Sequence, residues 1–273
     1  MSFGPLVDGA WLADHVHDDD LRVIDFRWYL SGRDGRNEFL EGHIPGAVFV
    51  DLEDVTARAG PGRHPLPAAS QFEVEMRRAG VRDATRVVAY DDAGGSIAAR
   101  LWFLLGWFGH GSRAVLDGGI KAWSGPLEQG PQTILPGNFQ ARQPDPGRVV
   151  DYDKVRRLVG VALIDARAGE RYRGETEPVD PKAGHIPGAV SAPWVDNLAP
   201  DGRFRSPAEL RERFSGLGAG GSGAVVYCGS GVNACHHLLA MEIAGLPGSR
   251  LYEGSWSDWS RHNAPVATGP DAR

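Results

Sequence analysis

Cysteine is almost missing from this chain: 273 residues hold only Cys228 and Cys235. Two cysteines so close in sequence exclude a disulfide framework. They suit a reducing compartment, where a lone cysteine serves as core or as catalyst. Long apolar runs are lacking too. The longest, "LWFLLGWF" at 101–108, falls far short of the ~20 residues that a membrane-spanning helix needs. The opening "MSFGPLVDGAWLADHVHDDD" carries no basic stretch followed by an apolar core, so no signal peptide is expected. Positive charge is not in excess: 29 Lys and Arg stand against 35 Asp and Glu, a net charge of −6, which argues against a general nucleic-acid surface. A soluble, cytoplasmic chain is expected, with no membrane or nucleic-acid partner.

What is present is ordinary for a globular protein, with 42% hydrophobic and 23% charged residues, at a length that suits two domains. The chain also repeats itself. "GHIPGAV" occurs at 42–48 and again at 184–190. In the same order, "LRVIDFR" (21–27) answers "VALIDAR" (161–167), "RVVAYDD" (86–92) answers "AVVYCGS" (224–230), and "VLDGGIKAW" (115–123) answers "RLYEGSWSDW" (250–259). Two copies at this long a period indicate a duplicated domain rather than a solenoid. The Pro- and Gly-interrupted stretch 135–150 reads as a linker between a first domain at 1–134 and a second at 151–273.

Within each copy, runs such as "RVVAY" and "AVVY" read as strands buried on both faces, and helical patterns follow them at 96–109 and 232–245. That alternation predicts an α/β fold: two tandem domains, each a mainly parallel sheet with helices on both faces. In such sheets chemistry gathers at the carboxyl ends of the strands. Cys228 falls there in the second copy, whereas the matching place after "VVAY" in the first is Asp91.

The "CGSG" that follows is then a tight strand-to-helix turn, with Gly229 and Gly231 supplying backbone angles other residues avoid. Amides from Gly229 through Ser230, Gly231 and Val232 to Asn233 are positioned to converge on the sulfur, aided by the positive helix end. Such a cradle favours a thiolate and equally suits a persulfide anion or an oxyanion. Cys235, inside the helix, reads as a small buried hydrophobe.

Two "GHIPGA" segments, a "CGSGV" loop in the second half only and the ending "YEGSWSDW" resemble the rhodanese sulfurtransferase family over essentially the whole chain. The resemblance implies tandem rhodanese domains of which only the second is catalytic, with no cofactor and no metal. It implies ping-pong chemistry: a small-molecule donor gives its outer sulfur to Cys228, and the persulfide passes it to cyanide, a thiol or a protein acceptor. Loops like "CGSGVT" go with 3-mercaptopyruvate donors and basic loops with thiosulfate. The neutral Gly229 and Ser230 therefore suggest the former, with a thiosulfate-preferring enzyme as the alternative. Asn233 departs from the usual Thr and is expected to cap the helix instead. Arg171 matches the family's substrate-binding arginine, whose fork can hold a carboxylate through two hydrogen bonds. A second arginine common in mercaptopyruvate enzymes is absent: Val179 or Asp180 occupies its place, with Lys182 nearby. Ser230, His64 and Asp51 match a proton relay, Asp orienting the imidazole. His43 and His185, inside the repeated motif, read as structural.

Other signals carry less. "GAGGSG" at 218–223 precedes its strand instead of following it, the wrong context for a dinucleotide site. "CHH" at 235–237 places consecutive helix residues on different faces and has no second ligand cluster. Trp123, Trp256 and Trp259 read as packing. A cysteine-dependent phosphatase needs an arginine six positions after the nucleophile, where this chain has Ala234. A non-catalytic sensor or scaffold on the same fold ordinarily lacks the cysteine in every copy.

Overall fold

The structure, a computed structural model, describes residues 3–220 and 223–270. It divides into two compact units. The first takes the described residues up to Thr56, together with Pro67–Pro144 and Asp201–Arg203. The second takes Ala57–Leu66, Asp145–Pro200 and the chain from Phe204 onward.

In the first unit, strands β1 (Leu6–Val7), β2 (Leu21–Asp25), β3 (Val48–Phe49), β4 (Arg86–Tyr90) and β5 (Arg113–Leu116) form a five-stranded sheet in the order β1-β5-β4-β2-β3. In the second, β6 (Val149–Val150), β7 (Ala162–Asp165), β8 (Ala189–Ser191), β9 (Ala224–Tyr227) and β10 (Arg250–Tyr252) repeat that order as β6-β10-β9-β7-β8. Every pairing in both sheets is parallel. The central strands explain why: Val87 to Tyr90 and Ala224 to Tyr227 are buried throughout, as side chains must be when helices cover both faces of a sheet.

The repeated "GHIPGA" has the same task in each unit. Arg27 closes a bidentate pair with Asp25 and donates to the Gly42 carbonyl at 2.8 Å, while Arg167 does the same with Asp165 and the Gly184 carbonyl at 2.7 Å. His43 and His185 each stack on an aromatic ring, Phe39 and Tyr172, and share a hydrogen bond with that residue's carbonyl through Nδ1. The amides of Ile44 and Ile186 donate to the hydroxyls of Tyr90 and Tyr227. Both histidines thus serve the fold.

The boundaries differ from those expected of a free linker at 135–150. Phe139 is buried, packs edge-on against Phe72, and its amide donates to the Val81 carbonyl at 3.1 Å. Apolar burial and backbone pairing therefore tie this stretch to the first unit as far as Pro144, and β6 begins the second soon after. Residues 221 and 222 of the "GAGGSG" run lie outside the described residues. No described helix is long and apolar enough to cross a membrane.

Candidate active site

Strand β9 ends at Tyr227, and the helix Ala234–Ile243 begins six residues after Cys228. Cys228 is 1% exposed. The intervening turn is held from the other side by the segment "YEGSWSDW". Trp256 and Ser257, at the start of the helix Ser255–Trp259, donate their amides to the carbonyls of Cys228 and Gly229 at 3.0 and 2.9 Å. Ser255 adopts φ +53°, alone among described non-glycine residues in having positive φ. That conformation is explained by its hydroxyl, which accepts the Cys228 amide at 3.1 Å and donates to the Tyr252 carbonyl at 2.9 Å. Gly231 must be glycine. Its φ is +82°, and a Cβ would lie 2.5 Å from the Glu253 carbonyl oxygen. So shaped, the turn directs the Gly231 amide at the Cys228 Sγ, 3.2 Å away. The Cys235 thiol donates to the Gly231 carbonyl at 3.3 Å, bracing the same peptide.

Asn233 corrects one expectation. It stands at the N-cap of the helix, but its side chain makes no capping bond. Its φ and ψ of −64° and −20° are already helical; a capping side chain needs an extended backbone to fold back over the first-turn amides. Val232, buried, contributes its carbonyl to the Cys235 amide.

Segment 57–66 brings two more groups to this loop. Gly62, at φ +75°, would place a Cβ 2.5 Å from the Gly254 carbonyl, so only glycine permits so close an approach. The next amide, that of Arg63, donates to Ser257 Oγ at 3.0 Å. His64 then shares a hydrogen bond with Ser230 through Nδ1, at 2.8 Å, and both side chains are buried. Two members of the expected relay are therefore in contact. Asp51 belongs to the first unit, where its carboxylate accepts the Glu53 amide at 3.0 Å.

Arg171 lies in the short helix Gly169–Arg173. Glu177 accepts from its Nη2 at 2.6 Å and its Nε at 3.2 Å, and Asp180 accepts from Nη2 at 3.4 Å. Glu177 also pairs with Arg167 at 3.3 Å, and Asp180 with Arg63. Burial opposes the ionisation of Glu177, but the bonded Arg171 guanidinium, together with the amides of Val179 and Asp180, holds this carboxyl below its usual range. Burial pushes the Asp180 carboxyl up, against the pull of Arg63. Lys182 points its ammonium at the His262 carbonyl, 2.7 Å away.

Of the side chains the sequence singled out for chemistry, Cys228, Ser230, His64 and Arg171 lie in the second unit and Asp51 in the first. It missed Arg63, Glu177 and Ser255. Arg63 adjoins His64 in sequence, but nothing local distinguishes it from a solvated surface charge. The expected tryptophans are packing groups, with Trp256 under the Arg167 guanidinium and Trp259 donating to the Pro265 carbonyl.

This architecture defines a pair of like domains with one cysteine loop. The rhodanese-like domain family matches the chain twice, over residues 8–126 and 151–262. The chain belongs to the rhodanese family. A relative from Pseudomonas aeruginosa, named a probable 3-mercaptopyruvate sulfurtransferase, is 45% identical over 98% of this chain and 100% of its own. The human 3-mercaptopyruvate sulfurtransferase is 38% identical over 95% of this chain and 93% of its own length. Among solved structures, that of the 3-mercaptopyruvate enzyme SseA from Escherichia coli matches with a TM-score of 0.83 and 34% identity, covering 93% of this chain and 99% of that one.

Proposed function

We propose that this sulfurtransferase takes its sulfur from 3-mercaptopyruvate, carries it as a persulfide on Cys228, and delivers it to cyanide or a thiol acceptor. The observation that carries the donor assignment is the His64–Ser230 hydrogen bond beside the nucleophile's loop. The Cys228 thiolate attacks the donor's thiol sulfur. The carbon–sulfur bond breaks, its electron pair passes into the enolate of the 2-oxo acid, and that carbon must gain a proton to leave as pyruvate. The donor's thiol releases one. Ser230 and His64, acting as a relay, move it from sulfur to carbon. In the second half-reaction cyanide attacks the outer sulfur, the S–S bond breaks, thiocyanate leaves and the thiolate returns. Thiosulfate would need no such relay, since sulfite departs without taking up a proton.

In this reading the Gly231 amide, aimed at Sγ, stabilises both the thiolate and the persulfide it becomes. Gly229 leaves room beside the loop for the donor, and Val232 and Asn233 supply its return into the helix. Arg171 holds the donor's carboxylate by its fork. No step is assigned to Asp51. Two buried free cysteines suit a reducing compartment, which agrees with the cytoplasm.

Sulfur transfer to cyanide from 3-mercaptopyruvate and from thiosulfate, measured side by side, tests the assignment. The expected outcome is a kcat/KM at least about tenfold higher for 3-mercaptopyruvate, the scale of one well-placed general acid or base operating below full effect. A preference for thiosulfate would remove the relay from the mechanism and leave the neutral loop without a role in donor choice.

A further inference from the structure

We propose that Arg63 is the second guanidinium of the donor site, forming with Arg171 a two-armed receptor for the carboxylate of a 2-oxo thiol acid. This rests on the reading of Cys228 as the sulfur-accepting nucleophile. Val179 or Asp180 stands where a second arginine is expected, and Asp180 is a residue of opposite sign. The nearby Lys182 has its ammonium on the His262 carbonyl.

Asp180 does not leave the site without a second cation; it holds one from elsewhere. One carboxylate oxygen accepts from Arg63 Nη1 and the other from Arg171 Nη2. The remaining terminal nitrogens, Arg63 Nη2 and Arg171 Nη1, donate to no described residue, and they converge on Gly229. They lie 3.0 and 3.4 Å from the point where a Cβ of that residue would stand. In addition, Arg63 Nε is buried without a partner. Two guanidinium groups with open N–H donors beside one point next to the nucleophile can be spanned by a single carboxylate. Any side chain at position 229 would occupy that space.

The chemistry of the donor fits this placement. In 3-mercaptopyruvate the carboxylate is separated from sulfur by two carbons, so it reaches past Gly229 while the sulfur sits at Cys228. In thiosulfate the charged oxygens are on the atom bonded to the transferred sulfur, which keeps them within the turn. Arg63 therefore acts on the carboxylate donor in particular. Asp180 and Glu177 position the two arms and neutralise them when no donor is bound.

The test uses the intact enzyme with Arg63→Ala and Arg63→Gln. Arg63→Ala is expected to raise KM for 3-mercaptopyruvate about tenfold or more, with kcat changed less, because binding common to ground and transition states is lost. KM for thiosulfate should change less than about threefold. Alkylation of Cys228, followed by mass spectrometry, supplies a readout independent of turnover. The rate with iodoacetate relative to iodoacetamide should fall about tenfold in the variant, while the iodoacetamide rate stays at the wild-type value. An unchanged KM and an unchanged rate ratio would overturn the proposal. So would equal losses with both reagents in both variants, since Arg63 would then only support the loop. Arg63→Gln keeps the side-chain stem and separates loss of charge from loss of packing. Should the wild-type enzyme prove to use thiosulfate alone, the donor assignment above fails, while the iodoacetate ratio still reads whether Arg63 and Arg171 grip a carboxylate.

Discussion

Asp91 and Cys228 stand at the same place in two copies of one domain, each at the end of the central strand and before a helix, and they use that place in opposite ways. The Asp91 carboxylate fills its own loop. Oδ1 accepts the amides of Ala93 and Gly95 at 2.9 and 2.8 Å, and Oδ2 those of Ile97 and Ala98, both at 2.8 Å. The first loop is thus a cradle of amides filled by a covalently attached carboxyl group. In the second loop the amide of Gly231 is turned to a sulfur instead. The loop is also one residue shorter, with its helix beginning at Ala234 against Ala98. A carboxylate satisfies the amides for good and has nothing to give. A sulfur in that place accepts the Gly231 amide and, on the function proposed above, takes up a sulfur atom and passes it on. The strand-end turn thus presents backbone amides to whatever side chain stands there, and on the function proposed above the residue placed there decides between structure and chemistry.

The most severe way to probe this contrast is Cys228→Ser. The hydroxyl is of similar size but is no thiolate at neutral pH and forms no persulfide. Sulfur transfer should fall on the order of 10⁴-fold or more, as when other enzymes lose their nucleophile. Mass spectrometry after incubation with donor should show the 32 Da sulfur adduct, roughly the mass of one sulfur atom, on the wild type and not on the variant. Turnover retained by the serine variant would end the assignment of Cys228.

A smaller effect is expected on the other side of the comparison. Asp91→Asn keeps the shape but exchanges one acceptor oxygen for an NH₂ group. Two of the four loop amides then face a donor, and the residue is fully buried. With each of the two unmade buried hydrogen bonds costing roughly 1–3 kcal/mol, urea unfolding should show a loss of about 2–6 kcal/mol. A loss below about 1 kcal/mol would mean that the Asp91 cradle is not the structural anchor described here.

How much of this was open to reading from residues alone follows from range along the chain. The β-branched strands, the duplicated "GHIPGA", the turn glycines and the cysteine are local patterns, and each names its own structural setting. His64, Ser230 and Arg171 were reached through motif resemblance. Their contacts confirm proximity for the first two and reveal the counter-ions of the third. Arg63 was not legible, because its meaning comes from Asp180, 117 positions away, and from the packing of segment 57–66 within the second unit. Phe139 escaped for a related reason: one aromatic residue in a Pro- and Gly-rich stretch shows no periodicity, although its burial ties the stretch to the first unit. Asn233 failed as a cap because residue type sets the capacity to bond, whereas backbone angle decides its use.

The finest distinction between the two loops lies two residues after the divergent position, where the second has Ser230 and the first Ala93. Ser230→Ala makes the loops alike at this point while leaving Cys228 in place. It deletes the hydroxyl that bonds His64 but touches no group that the carboxylate of the donor needs. The predicted loss is therefore in kcat, by about 10²-fold with 3-mercaptopyruvate, at the lower end of what a positioned acid or base contributes. KM should stay near its wild-type value. With thiosulfate, whose leaving sulfite takes up no proton, the same variant should lose less than about threefold. Side-by-side steady-state kinetics with the two donors decide the matter. Equal losses for both would show that Ser230 shapes the turn for any donor, and the difference between the loops would then reduce to cysteine against aspartate alone.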